Sequence, residues 1–155
     1  MLDRIKAIFR DNAESVRDLP DNTFDDLQLA IATLLVAAAH KNGNYHEQQH
    51  ATIARHLAEC FEMESDEVER LMALAEIEAK HSNEIYGFTR TVKDAWDHEE
   101  RVEFMQMLWE VVYSDGELHD YEASLMRLVT GLLYVPDQES GMARKRALQR
   151  LGLSG

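Results

Sequence analysis

The chain has 155 residues, of which 45% are hydrophobic and 29% charged, the composition of a globular protein that folds as one domain. Its formal net charge of −13 argues against nucleic acid as a partner, because the phosphate backbone would be repelled, and favours cations or basic protein surfaces. Cys60 is the single cysteine, which excludes an intramolecular disulfide. We expect residues 1–155 to form one domain in the reducing environment of the cytoplasm.

The N-terminal segment, residues 1–20, predicts an amphipathic helix. Leu2, Ile5, Phe9 and Val16 fall close to one stripe of a helix, while charged residues interrupt the apolar run that a secretory signal needs. We expect this helix to pack on the rest of the protein or to join two copies into a homodimer. Attachment to a membrane surface is the alternative.

Seven further helices are predicted, because both prolines fall between helical patterns and no segment has the alternating pattern of a strand. The first of them is apolar on nearly all sides, which is typical of a central helix. Ser65 is expected to cap one helix, and Asp97 with Glu100 has the spacing of a capping box at the start of another. Together with the N-terminal segment, this predicts an all-α bundle of about eight helices. The seven helices cover residues 24–41, 46–61, 66–81, 83–96, 98–114, 119–133 and 137–150.

Charge is unevenly distributed along the chain. Residues 59–84 contain nine carboxylates against two basic residues, a net charge of −7. Residues 141–155 contain four basic residues and no side-chain acid, so residues 137–151 predict a basic C-terminal helix. We expect this helix to dock on an acidic face of its own chain or of a second subunit.

Two parts of the sequence match when one is shifted by 73 residues, which places Gly43 over Gly116. Each part has an apolar helix, an Asn-Gly or Asp-Gly turn, a histidine (His46 or His119), an acid and the start of a new helix. Glycine suits both turns because the residue after a helix end often adopts a positive φ that a β-carbon would strain. The match predicts an internal duplication of two helix, glycine loop, helix units.

Carboxylates are concentrated around the second of these turns. Asp115, Glu117, Asp120 and Glu122 lie within eight residues at the start of a helix, and hard cations such as calcium and magnesium prefer oxygen ligands. These four residues are therefore a candidate divalent-cation site. The spacing is not that of an EF-hand, because the twelfth position counted from Asp115, where an EF-hand loop has a glutamate ligand, is Met126. In the structural alternative, Asp115 accepts hydrogen bonds from amides at the start of the next helix and Glu122 pairs with a basic neighbour.

A second candidate metal motif is HEQQH at residues 46–50. Its residues His46, Glu47 and His50 have the spacing that zinc peptidases use on a helix. Two observations count against a peptidase: the motif begins at a predicted helix start, and no strand is predicted that could align a peptide substrate. Because of the His and Glu spacing, a zinc-dependent hydrolase is nevertheless kept as the alternative function. A further interpretation is that these residues bind zinc without catalysing a reaction.

The chain resembles a known family through two segments in the same register. They read YSDGELHDYE at 113–122 and, in degenerate form, HKNGNYHEQQ at 40–49. Over about residues 24–135 the chain resembles the tellurite-resistance TerB-like family. The resemblance implies an all-helical duplicated bundle, a bacterial cytoplasmic protein and a link to tellurite or chemical-stress resistance.

The resemblance also implies which residues would hold a cation on an acidic surface. Asp115 and Glu122 match the family's Asp and Glu. Asn42 and Gln49 take the equivalent places in the first unit and depart from that pattern. A divalent cation, calcium, magnesium or zinc, would then bind at the second unit.

These observations predict a non-enzymatic protein that acts through protein partners. The partners would be basic or membrane-associated, and the weak cation site near Asp115 would regulate the interaction. No other cofactor is expected. The remaining alternative is a purely structural scaffold whose acidic face, within residues 59–84, binds a basic partner.

Overall fold

A computed structural model describes residues 24–39, 47–81 and 85–153. Within these ranges the chain forms seven helices and no strand, which confirms the predicted all-α fold. The N-terminal helix predicted within residues 1–20 lies outside the described residues. The helices are α1 (Asp26–Ala39), α2 (Glu47–Phe61), α3 (Ser65–His81), α4 (Ile85–Ala95), α5 (His98–Val112), α6 (Asp120–Leu132) and α7 (Asp137–Arg150).

Helix α1 lies at the centre of the bundle, where it contacts α2, α3, α4, α5 and α6. Eleven of its fourteen residues are buried, as expected for a helix that is apolar on all sides. Its first turn is held by reciprocal hydrogen bonds. The Asp25 carboxylate accepts from the Gln28 backbone N–H at 2.7 Å, and the Gln28 side-chain oxygen accepts from the Asp25 N–H at 3.0 Å. This arrangement satisfies amides that the helix leaves unpaired.

The capping box predicted for α5 is present. The Asp97 carboxylate accepts from the Glu100 backbone N–H at 3.0 Å, and the Glu100 carboxylate accepts from the Asp97 N–H at 2.9 Å. At α3 the predicted cap is displaced by one residue, because Ser65 is already helical and Glu64 precedes the helix. There the Glu67 carboxylate accepts from the Glu64 N–H at 3.2 Å.

The basic C-terminal helix, α7, docks on α5 of its own chain. Ala147 is fully buried, and a side chain this small lets two helices approach closely. The Arg144 guanidinium donates to the Tyr113 hydroxyl at 2.9 Å, and Arg150 lies 3.5 Å from a carboxylate oxygen of Glu110. The helix thus reaches an acidic side chain of its own chain, and docking on a second subunit stays a prediction.

Apolar side chains from all seven described helices meet in one core, and Phe104 is among its fully buried members. Four methionines are buried in this core, whereas Met107 is half-buried at its edge. No helix in the described ranges is long and apolar enough to cross a membrane. The buried methionines are Met63, Met72, Met105 and Met126.

Substituting Asp97→Ala should lower the free energy of unfolding by about 1 kcal/mol, because the amide of Glu100 loses its acceptor. The measurement is equilibrium denaturation in urea. Asp94→Ala is the matched control, since Asp94 is exposed one turn before the same junction. Its effect should stay within about 0.5 kcal/mol. Equal losses in both variants would contradict a specific role for the capping box.

Candidate functional site

The corner between α5 and α6 is built around Gly116. Its φ of +92° lies in the region that favours glycine, and its N–H donates to the carbonyl of Tyr113 at 2.8 Å. The positive φ predicted at Gly116 is therefore confirmed. Gly43, the other predicted corner, lies outside the described residues.

The Asp115 carboxylate makes two contacts in this corner, one with a backbone amide and one with a histidine. One of its carboxylate oxygens accepts from the Glu117 backbone N–H at 3.1 Å, and the other lies 3.1 Å from Nε2 of His119. The hydrogen bond to Asp115, together with the negative charge of Glu122, raises the pKa of the exposed His119 imidazole. The corner therefore has a negative electrostatic potential that favours a cation.

Glu122 is buried, with 4% of its surface exposed, in the first turn of α6. Its Oε1 accepts from the His119 backbone N–H at 3.0 Å, and its Oε2 accepts from the Gln49 side-chain amide at 3.1 Å. Burial raises the pKa of Glu122, although these two hydrogen bonds act in the opposite direction. The side-chain partner of Glu122 is thus a neutral amide of α2, where the structural alternative expected a basic neighbour.

The contact between Gln49 and Glu122 joins residues that are 73 positions apart. This separation equals the shift that aligns the two predicted units, so each residue touches its own counterpart. Residues near a two-fold axis make this kind of self-equivalent contact. The contact is what a duplicated bundle would have, and the duplication itself remains a prediction because its first corner is not described.

The four predicted ligands do not converge on one point. Glu117 and Asp120 are exposed, while both oxygens of Asp115 and both oxygens of Glu122 already accept contacts from the protein. Across the described ranges, no three His, Cys, Asp or Glu side chains are grouped so that they could hold an ion. As arranged, the corner does not fit a tightly held cation, because an ion would first have to displace His119 and Gln49.

Of the HEQQH motif, Glu47 and His50 lie among the described residues, both in α2. Glu47 is exposed in the first turn of α2, and Nε2 of His50 lies 3.1 Å from a carboxylate oxygen of Glu69 on α3. Gln49, which has no role in a zinc motif, is the residue that reaches Glu122. His46 lies outside the described residues, so the pairing of the two histidines is not defined.

Sequence reasoning missed a buried carboxylate on α5. Glu110 is 1% exposed, and its oxygens lie 3.3 Å from Arg55, 3.3 Å from His56, 3.1 Å from the Gln106 amide and 3.5 Å from Arg150. Burial alone would raise the pKa of Glu110, but the contacts with His56, Gln106 and Arg150 outweigh burial and lower it. The one signal in the sequence is an acid inside an apolar run, LWEVV.

Gln49→Glu should destabilise the protein by about 2 kcal/mol at pH 7, because two carboxylates would meet in a buried site. A shared proton would relieve the repulsion, so the pKa of the pair would lie above the ordinary value of 4.5. Stability should therefore be restored below that ordinary value and lost as the pH rises through the raised pKa. Thermal denaturation between pH 4 and pH 8 measures this.

The control is Gln48→Glu, which adds the same charge at an exposed position of the same helix. Its stability should change by less than about 0.5 kcal/mol at any of these pH values. A Gln49→Glu protein as stable as the control at pH 7 would show that the contact with Glu122 does not form in solution.

A comparison with family models gives one match, to the model described as tellurite resistance protein TerB, over residues 28–145. The match begins within α1 and ends within α7, so it includes the Gly116 corner and the Gln49 contact. No curated protein and no solved structure matches the chain. Since the matched region is more than half of the sequence, the chain belongs to the tellurite resistance protein TerB family.

Proposed function

We propose that this TerB-family protein is a non-enzymatic, cytoplasmic interaction protein of tellurite or related stress resistance, and that it binds a basic partner through an acidic face. We define the acidic face as residues 59–69, from the last turn of α2 into the first turns of α3. The observation that carries the proposal is that this stretch has six carboxylates and no basic residue. Five of the six are exposed: Glu59, Glu62, Glu64, Asp66 and Glu69.

The acidic face is part of the packed structure. Phe61, Met63 and Val68 alternate with its carboxylates and are all buried. These apolar anchors hold the acids in fixed positions, so a partner would meet a preformed surface and lose less entropy on binding. Electrostatic attraction of this kind raises association rates and weakens as salt screens it.

A divalent cation has a secondary place in this proposal. Exposed Glu117 and Asp120 add to the negative charge of the Gly116 corner, which attracts cations. Because Asp115 and Glu122 are engaged in hydrogen bonds, we propose weak binding that adjusts the interaction surface. The zinc-hydrolase alternative has no comparable support, since His50 contacts Glu69 and Glu47 is exposed.

Neutralising the acidic face should abolish function. A strain lacking the gene is complemented with Glu64→Gln/Asp66→Asn, or with the control pair Asp94→Asn/Asp137→Asn, which removes two exposed charges elsewhere. We expect tellurite resistance to return with the control and not with the acidic-face pair. Partner capture should be salt-sensitive and weakened about tenfold by the acidic-face pair. Equal complementation by both pairs would reject the acidic face as the functional surface.

Calcium, magnesium and zinc should bind weakly at the Gly116 corner. In an NMR titration we expect gradual amide shifts around Asp115 at millimolar cation, with no ion retained by purified protein after dialysis. The double variant Asp115→Asn/Glu122→Gln should lose these shifts. Shifts that persist in it would place the cation elsewhere. One equivalent of retained zinc, together with a peptidase activity lost in Glu47→Gln, would instead support the hydrolase.

A further inference from the structure

A groove of about 380 Å³ lies between α2 and α5. The two helices run antiparallel along it, because His56 of α2 contacts Glu110 while Cys60, one turn later in α2, is influenced by Glu100 and Glu103 at the other end of α5. The ten residues from Glu100 to Glu110 span about 15 Å of helix. The groove is therefore long enough for about three turns of a helix lying along it.

The floor of the groove is apolar. Phe104 and Met107 of α5 and Cys60 of α2 line it, and Trp96 forms the wall at the end where α5 begins. The Trp96 and Phe104 rings meet edge to face with their centroids 5.9 Å apart, which fixes the shape of that end. Met107 and Cys60 remain partly exposed, so the described helices leave apolar surface uncovered here.

The rim of the groove is acidic. Glu59, Glu100 and Glu103 border it near Trp96, whereas the one basic residue in its lining, Arg150, lies beside Glu110. Burial, reinforced by Glu100 and Glu103, raises the pKa of the Cys60 thiol to about 12. The carboxylates thus produce a negative potential that reaches into the groove and disfavours any added anion.

Trp96 provides an independent sign that something binds here. Its side chain is 6% exposed, and its indole Nε1–H finds no hydrogen-bond acceptor in the part of the chain that the structure describes. Buried N–H groups without an acceptor are uncommon and unfavourable. This N–H has almost no exposed surface, so a carbonyl oxygen of a bound peptide would reach it only after the indole turns towards the groove.

We propose that the groove is the docking site of the basic partner: an amphipathic helical segment of a partner protein places apolar side chains on Met107 and Cys60, and lysine or arginine side chains on Glu59, Glu100 and Glu103. This inference rests on the proposed function and locates its recognition site. Long basic side chains suit the site because their aliphatic stems pack on the apolar floor while the charged groups reach the rim. An anionic membrane or a nucleic acid would be repelled by the same rim.

The test is an NMR titration of the full chain with a synthetic amphipathic helix of lysine and leucine, with the glutamate and leucine version as the control peptide. The chain has two tryptophans, so two indole N–H signals report the result. Trp96 lines the groove, while the Trp109 indole donates to Ser140 at 3.3 Å outside it. We expect the lysine peptide to shift the Trp96 signal saturably and leave Trp109 unchanged, and the glutamate peptide to shift neither.

Two charge-reversal pairs decide where the peptide binds. Glu59→Lys/Glu103→Lys changes the rim, and Asp94→Lys/Asp137→Lys makes the same change of charge at exposed positions outside both the groove and the acidic face. We expect the rim pair to weaken binding at least about tenfold and the other pair less than about threefold. If a rim variant unfolds, the neutral pair Glu59→Gln/Glu103→Gln replaces it, with a smaller loss expected.

The possible failures are distinct. Equal weakening by both pairs, or a Trp109 shift as large as that of Trp96, would overturn the groove as the docking site. A lysine peptide that shifts no signal of the protein, amide or indole, would overturn both the groove and the proposed basic partner. Binding of the glutamate peptide at Trp96 would show that the groove recognises apolar surface without regard to charge, which also overturns the inference.

Discussion

The burial of α1 on all sides is the constraint on which the rest of this structure depends. A helix that is apolar around its whole circumference has to be covered in every direction, and α2 to α6 do this. Each covering helix packs its apolar stripe against α1 and the neighbouring helices, so its charged residues remain on the surface. Enclosing the central helix therefore leaves the charged residues, most of them acidic, on the surface. There water and salt screen the repulsion between them.

Two carboxylates are exceptions, and both show how a buried charge is accommodated in this bundle. Glu122 is held by a backbone N–H and by the Gln49 amide, and Glu110 by basic and amide groups from three helices. The contacts with Gln49, Arg55, His56 and Arg150 join helices far apart in the sequence, so they fix one helix against another, whereas those with His119 and Gln106 are local. An acid that loses such partners would remain buried and uncompensated, which costs more than the contact contributed. These side chains thus specify one arrangement of helices among the many that an apolar core alone would allow.

Local features were predictable from the sequence because they depend on residues a few positions apart. The seven described helices, the Asp97 capping box and the positive φ at Gly116 all follow from spacing, polarity and backbone sterics. The partners of Glu122 and Glu110 did not follow, since hydrogen bonds across 73 or 55 positions depend on how the helices pack. Gln49 had one usable signal: it stands at the place of Glu122 in the shifted alignment. The groove has no signal in the sequence, because its lining comes from α2, α5, α7 and Trp96 in the α4–α5 connection. No single stretch of sequence encodes it.

The position of Cys60 affects how the protein withstands oxidants. Thiols react with oxidants and electrophiles as thiolates, and with a pKa of about 12 this sulfur stays protonated throughout the cellular pH range. The chain contains no second cysteine with which it could form a bridge. A stress that consumes reactive thiols elsewhere in the cell would thus leave this thiol unmodified.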